Sequence, residues 1–485
     1  TPQDDFIVTA RDSKGGAGNW HTTQYILPRN ENSDHPEWFG FGSTGAATQL
    51  CYVGRPVASG TDGKKHGEAD QSALVNALVV SMEKLIDAKF GNDTNDSELF
   101  FCLTPADNFD WCECEYCKEI TEAYGGSNAA SYIVVANKVA KNLQEYMNEK
   151  YGGRKITVFI FAYQQTEQPP VRENSDGTFE PILDGPYGKD IILGDNVALL
   201  YAPIAADYYK TFEDDVNEVE YKRMAQWKTI ASHIAMWTYD KTFYTNYFVP
   251  QNPYNSMDEN IRWYVENGAV FLHAQGQTAN PQMTDWGNLK TYLSAQLSWD
   301  CTQDIEKLID GFFTAYYHDA APAMREWFDD YRTYFDERAD YWWGEEVLIG
   351  KEWVKFNFRT THGGDKTLSA SLKFYEYDRL LKWKASLKKA YGAIEKYKTS
   401  DPALYKKLET RIKREGVSLN YLIGTIYGDN TNFFTAEEKI ELMIDVYKDA
   451  SDTGLTYWRE VNPTSGLGTA YYTVAGKLKD LQGKR

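Results

Sequence analysis

Short apolar runs alternate with amphipathic helical segments over about the first 300 residues, and this alternation restricts the architectures open to the chain. The runs fall at residues 6–8, 50–53, 99–103, 156–162, 197–201, 234–239 and 270–273. Most are almost continuously apolar, the pattern of strands buried on both faces. Between them, Ile133, Ala136, Ala140, Leu143 and Met147 step by three and four, one face of a helix. Strand then helix, repeated, predicts a parallel sheet covered by helices. No glycine-rich phosphate turn follows an early strand, so the expectation is an α/β fold of the (β/α)8 TIM-barrel type over residues 1–300, not a doubly wound sheet. Seven strands are countable where eight are needed, and the expectation therefore includes a missing upstream strand or domain.

Beyond Cys301 the pattern changes to long helices, predicted at 305–317, 322–339, 368–397, 402–421 and 436–450. Pro322 and Pro402 suit a first helical turn, where a missing N–H costs nothing. Residues 301–485 thus read as a mostly helical C-terminal domain, with a loop or short hairpin over 346–369 around Gly350, Gly363 and Gly364.

The formal charge of −19 argues against nucleic acid and anionic membrane surfaces as partners. No run approaches the roughly 20 apolar residues of a membrane span. Thr1-Pro2-Gln3-Asp4-Asp5 has neither the basic start nor the apolar centre of a signal peptide, so the chain reads as a processed or excised product. Its Tyr-, Trp- and Asn-rich composition suits a secreted, periplasmic or outer-membrane-associated enzyme.

Cys112, Cys114 and Cys117 have the spacing C-x-C-x2-C, and Cys51 closes a preceding apolar run. Four thiolates can hold a tetrahedral ion, so a structural Zn site is one reading and disulfides are the other. Cys102 and Cys301 read as buried thiols.

Carboxylates recur just after the predicted strands: Asp107, Glu167, Asp207 and Asp240. In a barrel these positions share the face that carries active sites, and glycosidic cleavage needs two acidic roles. Aromatics accompany them (Trp111, Tyr163, Tyr201, Trp237, Tyr239, Phe243 and Tyr244), as on a surface that stacks sugar rings. Trp237 and Tyr239 share one strand face and would line the barrel floor. His273, beside Gln275, reads as either a substrate ligand or a core histidine. The seven histidines show no H-x3-H or H-E-x2-H spacing, and no G-x-S-x-G elbow is present, so no catalytic metal or cofactor is expected.

Several phrases together resemble glycoside hydrolase family 163, formerly a domain-of-unknown-function family of Bacteroides-type secreted proteins. They are His35-Pro36-Glu37-Trp38-Phe39, Gln49-Leu50-Cys51, Thr104-Pro105-Ala106-Asp107-Asn108 with Trp111-Cys112-Glu113-Cys114, Ala162-Tyr163 with Pro169-Pro170, Trp237-Thr238-Tyr239, and residues 292–300. The resemblance implies an endo-acting β-N-acetylglucosaminidase on N-glycans, retaining configuration with help from the substrate's acetamido group. It implies a β-rich domain and early barrel strands upstream. Under it, Asp107, Glu167 and Asp240 are the candidate catalytic acids. Asn108, Tyr163, Asp207, Trp237, Tyr239, His273 and Gln275 would hold the carbohydrate. Two other readings stand beside it. Gln275-Gly276-Gln277, amides where a hydrolase might place an acid, suits a catalytically inactive glycan-binding protein; Arg11, Arg55 and Lys241 would serve a glycosidase of uronic-acid-bearing polysaccharide.

Overall fold

Residues 156–162, 197–201 and 234–238 are buried at every position. Strand side chains alternate between faces, so such burial needs cover on both sides of a sheet. The structure is a computed structural model that describes residues 7–8, 20–40, 49–54, 68–91, 96–108, 110–241, 247–277, 280, 282–339, 343–349, 352–357, 375–461 and 470–484. Its first strands are β1 (Ile7–Val8), β2 (Leu99–Cys102), β3 (Ile156–Ala162), β4 (Val171–Glu173), β5 (Phe179–Pro181), β6 (Val197–Tyr201), β7 (Ile234–Thr238) and β8 (Ala269–Ala274). Six of them form one sheet in the order β1-β2-β3-β6-β7-β8, while β4 and β5 pair as a separate antiparallel hairpin. The ladders from β1 to β7 are parallel, with Ile7 beside Phe100, Leu99 beside Ile156, Val158 beside Val197 and Leu199 beside Ile234.

The closed eight-stranded TIM barrel is not what forms. Among the described residues the sheet is open, with β1 and β8 at its two ends. The β8 end is half-exposed along its length, and Val270 is 73% accessible. A closed barrel has no such edge. The run at 50–53 is not a strand either: Leu50 makes one isolated antiparallel bridge with Phe39. Those residues are apolar because they are buried as a loop, Cys51 and Val53 against Cys112 and Cys117, and Tyr52 stacked on Trp111.

The chain divides into two compact units, interleaved in sequence. Unit 1 takes Thr1–Ala202, Tyr221–Trp237 and Asn267–Leu272; unit 2 takes Pro203–Glu220, Thr238–Glu266 and His273–Arg485. In unit 1 the helices begin with α1 (Thr23–Ile26), α2 (Glu68–Phe90), α3 (Glu115–Ala123) and α4 (Ala129–Lys150). The face of α4 read from its three- and four-residue steps is buried, and α4 packs on α2 and β3. Leu143 is fully buried there, so Leu143→Ala would cost about 2–5 kcal/mol. Tyr132 on α4 fastens the ends of two strands. Its hydroxyl donates to the Leu103 carbonyl and accepts from the Phe161 N–H at 3.2 Å.

α5 (Glu218–Lys228) spans the boundary between the two stretches, and unit 2 continues with α6 (Met257–Glu266), α7 (Gly287–Trp299), α8 (Ile305–Tyr317) and α9 (Ala321–Ala339). A hairpin of β9 (Trp343–Ile349) and β10 (Glu352–Asn357) occupies part of the expected loop segment; Gly350, Gly363 and Gly364 lie outside the described residues. Then come α10 (Tyr377–Ile394), α11 (Tyr397–Ser400), α12 (Pro402–Ile426), α13 (Ala436–Asp452), the antiparallel β11 (Tyr457–Val461) and β12 (Ala470–Thr473), and α14 (Val474–Gln482). Pro402 opens α12, where the Asp401 carboxylate accepts the Leu404 N–H at 2.9 Å. Thr435 and Glu438 form a reciprocal capping box on α13. Among the described residues no helix is long and apolar enough to cross a membrane.

Candidate functional site

Asp107 lies five residues past the end of β2, in a loop that three other segments of unit 1 hold in place. The first is Trp20–Thr23, whose Thr22 and Thr23 N–H groups both donate to the Thr104 carbonyl at 3.0 Å. The Thr22 hydroxyl accepts from the Thr104 N–H at 3.1 Å and donates to the Cys102 carbonyl at 2.5 Å, prolonging the strand's bonding by side chain. This fixes His21. Its Nδ1 is 2.7 Å from the Pro105 carbonyl oxygen, which can only accept, so Nδ1 carries the hydrogen. Nε2 then faces Asp107 Oδ1 at 4.0 Å.

The second segment is the Tyr163–Thr166 turn after β3. The Tyr163 hydroxyl donates to Asp107 Oδ1 at 3.4 Å, and Gln164 Nε2 reaches the same oxygen at 3.3 Å and the Tyr163 hydroxyl at 2.9 Å. Burial, aided by the Asp107 charge, holds the Tyr163 phenol well above its ordinary range, so it stays a hydrogen donor. Gln164 has φ +49°, a left-handed backbone that a non-glycine residue adopts at some cost.

Gln49 supplies the third hold. Its Oε1 accepts the Ala106 N–H at 3.0 Å, while Nε2 donates to the Ala106 carbonyl at 2.7 Å and to Asn108 Oδ1 at 3.1 Å. The result is a small cleft with free space of about 10 Å³, room for about one water, with aromatic walls from Trp111, Phe161 and Tyr163 and an amide lining that includes Gln49, Asn108 and Gln164. The Asp107 carboxylate, 45% exposed, is not part of this lining; its chain neighbours Ala106 and Asn108 are, and it reaches the cleft's residues through Tyr163 and Gln164.

Within unit 1, Asn108 and Tyr163 line this cleft and Asp107 is bonded to Tyr163 beside it. Glu167 is close enough to raise the Tyr163 phenol further, but it does not line the cavity; its carbonyl accepts the Trp227 indole N–H at 2.8 Å. Trp237, in unit 1, packs edge-on against Trp20 and Phe161, at 5.3 and 5.6 Å between centroids. With no closed barrel it lines no barrel floor.

The other expected residues belong to unit 2. Asp240 and Lys241 are both buried, and the ammonium donates to both carboxylate oxygens at 3.0 Å. Such a pair is a structural ion pair, and this removes Asp240 from the acids with an accessible carboxylate. Burial lowers His273 to about 4, Lys241 adding to the effect and Asp240 opposing it, so His273 is neutral at physiological pH. Tyr239 packs edge-on to Tyr208 at 6.4 Å. Asp207 is buried, and burial raises its carboxyl to about 7; Asn217 caps the main chain of its loop. Gln275 bonds through its N–H to the Thr238 carbonyl at 2.8 Å. Gln277 is buried, its amide donating to the Tyr247 carbonyl at 3.0 Å. Arg11, Arg55, Phe243 and Tyr244 lie outside the described residues.

His21, Gln49 and Gln164 escaped the sequence reading. Gln164 follows the apolar run 156–162 and Gln49 lies in a phrase that carries the resemblance, but neither was given a site role, and His21 follows no apolar run. The four cysteines do converge: the sulfurs of Cys51, Cys112, Cys114 and Cys117 all lie within 4.8 Å of one another. Cys51 Sγ is 3.7 Å from Cys117 Sγ and 3.9 Å from Cys114 Sγ, well beyond the roughly 2.05 Å of a disulfide. Such a group can bind a metal ion.

Comparison with curated proteins gives no match. A family profile described as a domain of unknown function (DUF4838) matches residues 7–177 and 184–329. With well over half of its residues in that match, the chain belongs to the DUF4838 family.

Proposed function

We propose that this protein is a glycoside hydrolase working at the Asp107 cleft, an endo-acting β-N-acetylglucosaminidase on N-glycans that retains configuration through the substrate's own acetamido group. Kinship with glycoside hydrolase family 163 and an extracytoplasmic location are parts of the same proposal. The observation that carries it is a half-exposed carboxylate held by Tyr163 and Gln164 beside His21, next to a cleft walled by rings and amides. Sugar C–H faces stack on rings, and an acetamide matches amide donors and acceptors. Cleavage needs a proton delivered to the departing oxygen while the acetamide oxygen closes on the anomeric carbon. In this reading Asp107 takes one of the two acidic roles, delivering the proton or orienting the acetamide, with Tyr163 and Gln164 holding its carboxylate in place. Glu167 is the second carboxylate.

The test is release of glycan from a panel of N-glycoproteins, read by mass spectrometry. Asp107→Asn is expected to lower turnover at least about a thousandfold while unfolding midpoints stay near wild type. Unchanged turnover removes Asp107 from the mechanism. A second reading, glycan binding without cleavage, draws support from both Asp107 and Glu167 lying off the cavity lining; calorimetric binding without product would favour it.

For the sulfur cluster we propose a structural zinc. The sulfurs of a ZnS4 tetrahedron with bonds of about 2.3 Å stand about 3.8 Å apart, and the separations of 3.7 and 3.9 Å fit. Four thiolates leave no open position, so such an ion holds structure and takes no part in cleavage.

A further inference from the structure

Gln49 and Trp111 bracket the acidic loop, and each stands next to a member of the sulfur cluster. Gln49 grips both main-chain polar groups of Ala106 and the side chain of Asn108, so the residues on either side of Asp107 end on one amide. Two residues later the chain reaches Cys51, whose N–H donates to the Trp38 carbonyl at 2.9 Å. On the far side of the loop Trp111 directly precedes Cys112 and stacks on Tyr52, the neighbour of Cys51. The intervening packing is tight: Gly40 donates its N–H to the Gln49 carbonyl at 2.6 Å, and a Cβ at Gly40 would come within 3.2 Å of Cys112 Cβ. The Tyr52–Trp111 stack and the packing of Cys51 and Val53 on Cys112 and Cys117 hold residues 49–54 against residues 110–117, and the four converging sulfurs offer a further tie between the two segments.

We propose that the four-cysteine site sets the position of Asp107, with a zinc-class divalent ion locking the two segments together and Gln49 transmitting that lock as the positioning residue. The inference rests on the metal assignment above and is independent of the glycosidase reading. With the ion bound, the sulfurs are held at tetrahedral spacing and Gln49 meets Ala106 in register. With it lost, only weak thiol–thiol contacts and apolar packing remain to hold the sulfurs together, and the clamp on Ala106 loosens.

The experiment uses the full chain, prepared reduced and with zinc. Elemental analysis reads the metal, and hydrogen exchange by mass spectrometry reads residues 103–108. Chelation is expected to remove about one zinc per chain and to speed exchange at the Ala106 N–H at least about tenfold, with β3 and α12 unchanged and protection restored by added zinc. Gln49→Leu is expected to keep the zinc yet lose the same protection, and chelating that variant should add little. Where chelation also strips protection from β3, the Gln49→Leu arm decides, since its metal stays in place. A chain that binds no zinc, a chelated chain whose 103–108 segment stays protected, or a Gln49→Leu variant that exchanges like wild type would each overturn the proposal. If glycan release is found, both perturbations should lower kcat more than they raise KM; if it is not, the exchange results still decide the coupling.

Discussion

Replacing Glu415 with Gln should make the protein more stable at alkaline pH and leave it nearly unchanged at acidic pH. Glu415, on α12, is 2% exposed and sits inside unit 2. One carboxylate oxygen accepts the Trp286 N–H at 2.7 Å, and the other accepts the Tyr317 hydroxyl at 3.3 Å. Burial raises this carboxyl from 4.5 to about 7, against the opposing pull of the Trp286 N–H and the Arg414 charge. At about 1.4 kcal/mol per pH unit, that rise is worth about 3 kcal/mol. The folded value lies above the unfolded one, so the contribution is complete below 4.5 and is lost as the pH climbs through about 7. Gln cannot ionise, yet its carbonyl oxygen can accept from Trp286 and its NH2 can donate to the tyrosine oxygen. The variant should therefore match wild type below about pH 4 and exceed it by about 3 kcal/mol near about pH 8.5. Urea unfolding at several pH values, with hydrogen exchange of residues 283–290 as a local probe, measures the difference. A gap that stays flat with pH, or one that widens toward acid, would refute the assignment of a buried, neutral-preferring carboxyl.

Two further substitutions test other buried polar contacts. Lys290→Met should destabilise unit 2 by about 3–5 kcal/mol, because it strands Asp285, which keeps the Gln251 N–H and the Tyr331 hydroxyl but loses its ammonium partner at 2.5 Å; urea unfolding checks it. Tyr132→Phe should cost about 1–3 kcal/mol by leaving the Leu103 carbonyl and the Phe161 N–H short of a partner, and it should raise exchange at the β2 and β3 ends next to the cleft.

Much of the site's location was legible because it follows from strand ends. Residues 99–103 are apolar throughout and 156–162 are apolar but for Thr157, so Asp107 and Tyr163 could be placed beyond buried strands, and the two do meet. The cysteine spacing likewise announced a cluster that forms. For Asp240 the strand-end position says nothing of its partner: Lys241, its immediate neighbour, pairs with the buried carboxylate inside unit 2. Strand patterning misled at 50–53, where apolar residues mark a buried loop, since periodicity over four positions cannot separate the two. His21 and Gln49 were invisible because their roles come from hydrogen bonds to backbone groups more than fifty positions away.

Local patterning determined the parallel strands β2, β3, β6 and β7, the long C-terminal helices, and the cysteine spacing at 112–117, because burial periodicity, capping and cysteine spacing are written within a few neighbouring residues. Whether the sheet closes, which acid keeps an accessible carboxylate and which becomes half of an ion pair, and which amide clamps the Asp107 loop were decided in three dimensions. Sheet closure depends on pairing between the first and last strands, and a carboxylate's chemistry depends on burial and on its neighbours, quantities that exist only once distant segments have packed.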